Sequence, residues 1–353
     1  MSQLSGQWPI PSPQNIIVRM PNWLGDLVMA TPVLALLRGR YPEARITAMC
    51  LAHFGGVLES DPHVEEIFQF TRPNGWIHHA EHHEVIYLLQ AREYDLGVIL
   101  PNSFTSAWWF WRGKVGNRLG FAGNGRSWLL NKALPFPLGV KTQHLVLTYQ
   151  ALLAPLGIET ADMKPKLYVN EADDQRAREA LLRLEIDPRD VIIGINPGAA
   201  FGSAKCWLPD RFEELTQRLL QNVDCKILYF GDAAGASLVN RICEGKDARV
   251  VNLAGKTSIR ELMAYIKLCK VLVTNDSGPM HLAAALGTPP LALFGSTSDV
   301  RTGPYGLGRV IHKHVDCSPC YKRVCPIDFR CMKRIEVEEV YTTIQEMLRD
   351  AKQ

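Results

Sequence analysis

No apolar run in the 353 residues reaches the roughly 18 that a membrane-crossing helix requires, so an integral membrane protein is not expected. Residues 1–13 lack a basic start followed by an apolar block, and no secretory signal is expected either. The loops carry no G-x-x-x-x-G-K-[ST], which excludes a P-loop, and no G-x-G-x-x-G follows the first strand-like run, which disfavours a dinucleotide fold of that fingerprint. Negative charge is missing locally: no Asp or Glu occurs between Leu96 and Ile158, a stretch that carries Arg112, Lys114, Arg118, Arg126, Lys132 and Lys141. The net charge of the whole chain is only +3, which gives no reason to expect a nucleic-acid partner. The local basic field suits phosphate groups or an anionic membrane surface.

What is present reads as an ordinary globular protein long enough for two cores, with 47% hydrophobic and 21% charged residues. There are nine cysteines, an odd number. Cys50, Cys206, Cys225, Cys243 and Cys269 are scattered, several in apolar surroundings, which indicates buried thiols and a reducing cytoplasm. Cys317, Cys320, Cys325 and Cys331 form a C-x2-C-x4-C-x5-C cluster. Four thiolates can close around zinc, but the usual paired C-x2-C knuckles are absent, and a loop of reduced thiols is the favoured expectation. His78, His79, His82 and His83 fall within six positions and are expected on a polar, solvated or acceptor-facing helix rather than around a metal.

The order of elements predicts the fold class. Residues 16–20, 45–50 and 96–100 read as strands, and Asp26 to Arg38 has helical apolar spacing. The pattern restarts with strands at 191–196, 226–230, 250–252, 271–274 and 291–294, separated by helices near 209–220, 236–243, 259–267 and 280–286. Alternation of this kind predicts parallel sheets covered by helices, in two doubly wound α/β domains facing each other. The expected division is 1–170, 171–335 and a C-terminal amphipathic helix over 336–353, which should pack on a domain.

Three loops can carry chemistry. Thr274-Asn275-Asp276-Ser277-Gly278-Pro279-Met280-His281 joins a strand to a helix, with Asp276 or Ser277 able to cap it and Pro279 in its first turn. Such a helix start offers amides and a positive dipole end to phosphate, or it is a well-capped structural helix with nothing bound. In Asn196 to Pro209, Lys205 stands between Gly202 and an aromatic residue. It is either solvated or a partner for a diphosphate leaving group. In Asn22-Trp23-Leu24-Gly25-Asp26, Asp26 opens the first helix. It is an N-cap or a general base whose ionised form the dipole favours.

Asn22 to Pro32, Asn102 to Ala107, Asn196 to Pro209, Asn252 to Thr257, Asn275 to Gly287 and the Cys-Pro segment near Cys325 together resemble the ADP-heptose:lipopolysaccharide heptosyltransferases, and among them the heptosyltransferase II group. The resemblance spans nearly the whole chain. It implies a GT-B architecture of two Rossmann-like domains facing across a cleft, nucleotide on the C-terminal one and acceptor on the N-terminal one, with no metal or other cofactor. It implies inverting transfer of L-glycero-D-manno-heptose from ADP-heptose to a heptose of the phosphorylated lipid A–Kdo–heptose inner core. By motif position, Asp26 is the expected base and Lys205 contacts phosphate or donor sugar. Asp276 is expected on sugar hydroxyls and Ser277 and Gly278 on the diphosphate, with His281 nearby. Asp232, after the strand at 226–230, is the candidate for the ribose. The stretch Thr71 to Leu89 departs from the family pattern. The basic stretch, with Trp108, Trp109, Trp111 and Trp128 interleaved, is expected to receive the acceptor through Arg112, Lys114 and Arg118 and to rest on the cytoplasmic face of the inner membrane. The bland alternative is buried tryptophans and solvated bases. Two rival functions stay open: a nucleotide-sugar transferase of the same fold with another sugar or acceptor position, and a metal-stabilised binding module for anionic lipid or nucleic acid.

Overall fold

The computed structural model describes residues 12–71, 79–137 and 142–351, and these form two compact units, 1–167 and 168–353. In the first unit the chain runs β1 (Asn15–Arg19), α1 (Leu24–Ala30), α2 (Pro32–Arg40), β2 (Arg45–Leu51), β3 (Glu66–Phe70), α3 (His79–Ala91), β4 (Leu96–Ile99), α4 (Phe104–Arg112), β5 (Asn117–Phe121), β6 (Lys132–Leu134) and α5 (Leu145–Ala151). The second runs α6 (Glu171–Arg183), β7 (Ile192–Asn196), α7 (Pro209–Asn222), β8 (Lys226–Tyr229), α8 (Ala236–Cys243), β9 (Val250–Asn252), α9 (Ile259–Leu268), β10 (Val271–Asn275), α10 (Gly278–Leu286), β11 (Pro290–Phe294), α11 (Asp299–Thr302), β12 (Arg309–His312), α12 (Arg330–Lys333) and α13 (Val337–Asp350).

Each unit holds one six-stranded sheet, in the orders β3-β2-β1-β4-β5-β6 and β12-β11-β10-β7-β8-β9. Every strand pair is parallel. The central strands are buried on both faces and mostly apolar, wholly so in β4 (LGVI) and β11 (PLALF), because helices cover both sides of a parallel sheet. The two orders are the same winding: the second, read from its other edge, runs third, second, first, fourth, fifth, sixth strand of its unit. That is the doubly wound arrangement in which strand order reverses beside the first strand. The reversal lies between β1 and β4 in one unit and between β7 and β10 in the other, so at the carboxyl ends of those strands the chain turns to opposite faces of the sheet, the place where ligands of this fold class bind.

Two expectations are corrected. The helix expected over residues 26–38 is two helices broken at Thr31, because Pro32 has no N–H to donate and opens a new helix instead. The strands β3, β5, β6 and β12 were not anticipated. They are short and only partly buried, so polar residues such as Arg118 and Lys132 interrupt the apolar signal. The last helix, α13, buries Val337, Val340, Tyr341, Ile344 and Met347 in the core of the second unit. The indole N–H of Trp207 donates to the Ile335 carbonyl at 3.0 Å just ahead of that helix. Among the described residues no helix is long and apolar enough to cross a membrane.

Candidate functional site

In the second unit, the loops that follow β7 and β10 are bolted together by side chains. Asn196, the last residue of β7, donates through Nδ2 to Gly198 O at 3.1 Å, Thr274 Oγ1 at 3.2 Å and Ser277 Oγ at 3.1 Å. Asn275, the last residue of β10, donates to Pro197 O at 2.7 Å and accepts from the Trp207 amide at 2.9 Å. Across this seam Lys205 Nζ reaches Asp276 Oδ2 at 2.5 Å, and Thr297 Oγ1 donates to the same oxygen at 2.6 Å. Asp276 is 4% exposed, so the carboxylate is desolvated and its charge is answered by one ammonium and one hydroxyl. The Phe201 ring lies 5.0 Å from the Lys205 ammonium, a cation–π contact that helps hold the cation in place.

Ser277 occupies the N-cap position of α10, but no side chain caps the helix; its hydroxyl is instead 3.0 Å from that of Thr274. Pro279 has no N–H to satisfy. The Met280 amide donates to the Ser277 carbonyl at 3.2 Å, so the start of α10 offers an anion the Gly278 amide and the positive dipole end. His281 is buried one turn further in. Asp232 sits exposed after β8 and uses Oδ1 to accept the Gly235 amide at 2.7 Å.

The cysteine segment belongs to this edge too. The Arg323 carbonyl accepts the Ala204 amide at 3.0 Å. Gly202, at φ +153°, is obligatory there: a Cβ would meet Arg323 O at 2.3 Å. All nine cysteines are free thiols. Among the described residues, the cysteines make no group of three at ligation distance.

In the first unit the loop after β1 carries Asp26 in the first turn of α1. Trp23, not Asp26, is the N-cap, and no side chain caps the helix, so the capping role weighed for Asp26 does not hold. Buried Arg19 organises the loop from below. Its guanidinium lies 4.4 Å from the Phe70 ring centroid, donates to Asn22 Oδ1 at 2.5 Å, and also donates to Met20 O. The loop after β4 lies beside it at the switch point. Ser103 caps α4 by accepting the Ser106 amide. Arg126, fully buried, donates to Phe121 O at 3.0 and 2.8 Å and to Pro101 O at 2.5 Å. Burial pushes its pKa down to about 10, which leaves it charged at neutral pH.

The structure does not bring Arg112, Lys114 and Arg118 to Asp26. All three follow the return of α4 to the amino edge of the sheet, and nine helical residues span about 14 Å. Lys114 borders a surface hollow of about 640 Å³ there, with Glu93, Asp95 and Asn117. Arg112 and Lys114 are exposed. Arg118 is committed to Leu129 O at 2.7 Å and Val115 O at 2.6 Å, and burial lowers its pKa. The tryptophans divide: Trp109 is buried and donates to His82 Nδ1 at 2.8 Å, whereas Trp111 and Trp128 are exposed with ring centroids 5.9 Å apart. His82 is thus a core residue. His78, Lys141 and residues 72–78 of the divergent stretch lie outside the described residues.

Two doubly wound parallel sheets in one chain, each with a switch-point loop pair, are the architecture of the GT-B class. Residues 83–329 match the profile of glycosyltransferase family 9, the heptosyltransferases, and the chain belongs to that family. It is 32% identical over 300 residues to lipopolysaccharide heptosyltransferase 2 of Salmonella typhimurium, a match covering 82% of this chain and 85% of that protein. The protein of the same name from Escherichia coli K12 is 32% identical over 306 residues, with 82% and 85% covered. The solved structure of E. coli ADP-heptose lps heptosyltransferase II superimposes with a TM-score of 0.81 at 28% identity, covering 96% of this chain and all of that one.

Proposed function

We propose that this enzyme is an inverting heptosyltransferase of the II type, moving L-glycero-D-manno-heptose from ADP-heptose to a heptose of the phosphorylated lipid A–Kdo–heptose inner core. The observation that carries the donor half is the Lys205–Asp276–Thr297 constellation beside the uncapped start of α10. In this reading Ser277, the Gly278 amide and the positive dipole end of α10 hold the diphosphate. Asp276 accepts from sugar hydroxyls, with His281 behind the turn, and Asp232 offers its second oxygen to the ribose. Asp26 takes the proton of the acceptor hydroxyl. That oxygen bonds to the anomeric carbon from the face opposite the diphosphate, the bond from carbon to phosphate oxygen breaks, and its electron pair leaves with ADP. Lys205 stabilises the charge growing on the departing oxygen. No step requires a metal ion.

The amino-edge position of Arg112 and Lys114 gives them a task away from the reacting hydroxyl. Together with exposed Trp111 and Trp128 they suit phosphates of a long lipid acceptor, or the anionic headgroups around it, at the cytoplasmic face of the inner membrane. Arg118 supports that surface from within by holding the Leu129 and Val115 carbonyls. The deciding experiment is mass spectrometry of inner-core lipopolysaccharide incubated with the protein and ADP-heptose. A product heavier by one heptose is expected. An unaltered acceptor, with a melting temperature raised by a different nucleotide sugar and not by ADP-heptose, would replace the donor assignment.

A further inference from the structure

The transfer reaction leaves one cluster unused. Asp299 opens α11, His312 ends β12 opposite Phe294 in the register, and His314 follows two residues later. His312 Nδ1 stands 3.0 Å from Asp299 Oδ1, and His314 Nε2 stands 3.7 Å from Asp299 Oδ2. The two imidazole rings are 4.0 Å apart. One ligand atom from each of the three residues lies within 4.8 Å of the others, the sole grouping of three such side chains among the described residues.

The hydrogen bonds around His312 decide which ring nitrogen is the donor. The Ser318 hydroxyl donates to the Gly295 carbonyl, which can only accept. Its single proton is thereby used, so at the 2.8 Å contact with His312 Nε2 the ring nitrogen must be the donor. In the neutral tautomer Nδ1 turns its lone pair towards the Asp299 carboxylate at 3.0 Å, the orientation of a ring nitrogen that ligates a metal ion, and the His312 side chain is only 2% exposed.

We propose that Asp299, His312 and His314 bind one divalent transition ion of the zinc class. Metal bonds of about 2.0–2.1 Å at tetrahedral angles separate neighbouring donors by roughly 3.4 Å, and the three ligand atoms, one from each residue, lie within 4.8 Å of one another, a spread that side-chain rotation can close onto one ion. Two imidazoles and one carboxylate favour zinc, iron(II) or nickel over magnesium or calcium. Ser318 is the outer hydrogen-bond partner that fixes the ligating tautomer, the usual support of a metal-bound histidine. The His314 side chain is 65% exposed and gives the ion its way in. The ion would tie the loop after β11 to the end of β12 and to the cysteine segment through Ser318. Thr297, two residues before Asp299, is the hydroxyl donor to Asp276, so the proposed ion is a clamp on the donor loop and takes no part in the transfer itself.

The test uses the full chain, stripped with a chelator, dialysed and titrated with zinc sulfate by calorimetry, then with cobalt(II) followed by visible absorption. One equivalent is expected, with ligand-field bands and no thiolate charge-transfer band. His314→Ala, at an exposed position, and Asp299→Asn should each lower zinc affinity at least 100-fold. Ser318→Ala should lower it about 10–100-fold. Cys317→Ser, Cys320→Ser and Cys325→Ser combined should leave it as it was. Absence of zinc binding, with His312 found doubly protonated against Asp299 by nitrogen NMR, would overturn the proposal. Binding that survives in His314→Ala and Asp299→Asn, or that vanishes only in the cysteine variant, would overturn it as well.

Discussion

Lys205 and Asp276, 71 positions apart in sequence, meet at 2.5 Å and tie the loop after β7 to the loop after β10. Their side chains are 14% and 5% exposed, so the pair is largely withdrawn from solvent and breaking it strands a charge. A double-mutant cycle of Lys205→Met and Asp276→Asn, read by urea unfolding, should give a coupling energy on the order of 1–3 kcal/mol. A cycle that closes additively would show the contact to be energetically idle. In kinetics, Lys205→Met should depress kcat more than it raises KM for the donor, because the charge it answers grows only as the diphosphate departs.

Thr297 provides a gentler probe of the same carboxylate. Thr297→Val keeps shape and removes one donor to Asp276. Hydrogen bonds to charged groups contribute about 1.5–3 kcal/mol, so donor KM should rise by roughly tenfold or more, with thermal stability lowered. An unchanged donor KM would detach Thr297 from the binding site.

Asp26→Asn retains size and hydrogen-bonding capacity while removing basicity. Turnover should fall by about 10²-fold or more and donor affinity, measured by calorimetry with ADP, should stay the same. An Asn variant with full turnover would take the base assignment away from Asp26.

At the amino edge of the first sheet, Arg112→Gln with Lys114→Gln is the informative pair, because Arg118 is spent on backbone carbonyls and its loss would mix stability with binding. The pair should weaken sedimentation with anionic vesicles and raise KM for the lipid acceptor, leaving donor KM alone. Wild-type binding should itself fade as salt shortens the Debye length below about 8 Å. Equal vesicle binding by wild type and variant would restrict these residues to ordinary solvation.

Buried thiols add to the loss of stability at alkaline pH. Burial pushes Cys50 and Cys225 up to about 11 from the ordinary value near 9, against smaller opposing pulls from Arg19 and Arg249. The folded protein then keeps protons that the unfolded chain releases, so this contribution is whole below pH 9 and is lost as pH rises towards 11. The urea midpoint of wild type should fall more steeply over that window than that of Cys50→Ala. Parallel curves would contradict the assignment.

The sequence disclosed the central strands because a parallel strand buried on both faces is a largely apolar run, unbroken in β4 and β11. It concealed β3, β5, β6 and β12, which are partly buried and carry polar residues. Asp26, Lys205 and Asp276 stood out because each sits in a short turn between an apolar run and a helix, where an isolated polar group has few structural duties. Thr297 did not, since its partner Asp276 lies 21 positions away and nothing local marks it. Asp299, His312 and His314 escaped for the same reason: no ligand spacing announces them, and only the pairing of β11 with β12 brings them together.

The repeated winding has a thermodynamic consequence. Each unit completes its own sheet and closes its own core, one around Ile17, Phe68 and Phe110 and the other around Ile193, Phe212 and Tyr341, so cooperativity has two natural boundaries and not one. Scanning calorimetry of the intact chain should resolve two endotherms, and adding ADP should move one of them upward by mass action while the other stays in place. The endotherm that moves then reports nucleotide affinity, and the stationary one serves as an internal thermometer for acceptor-side variants such as Asp26→Asn.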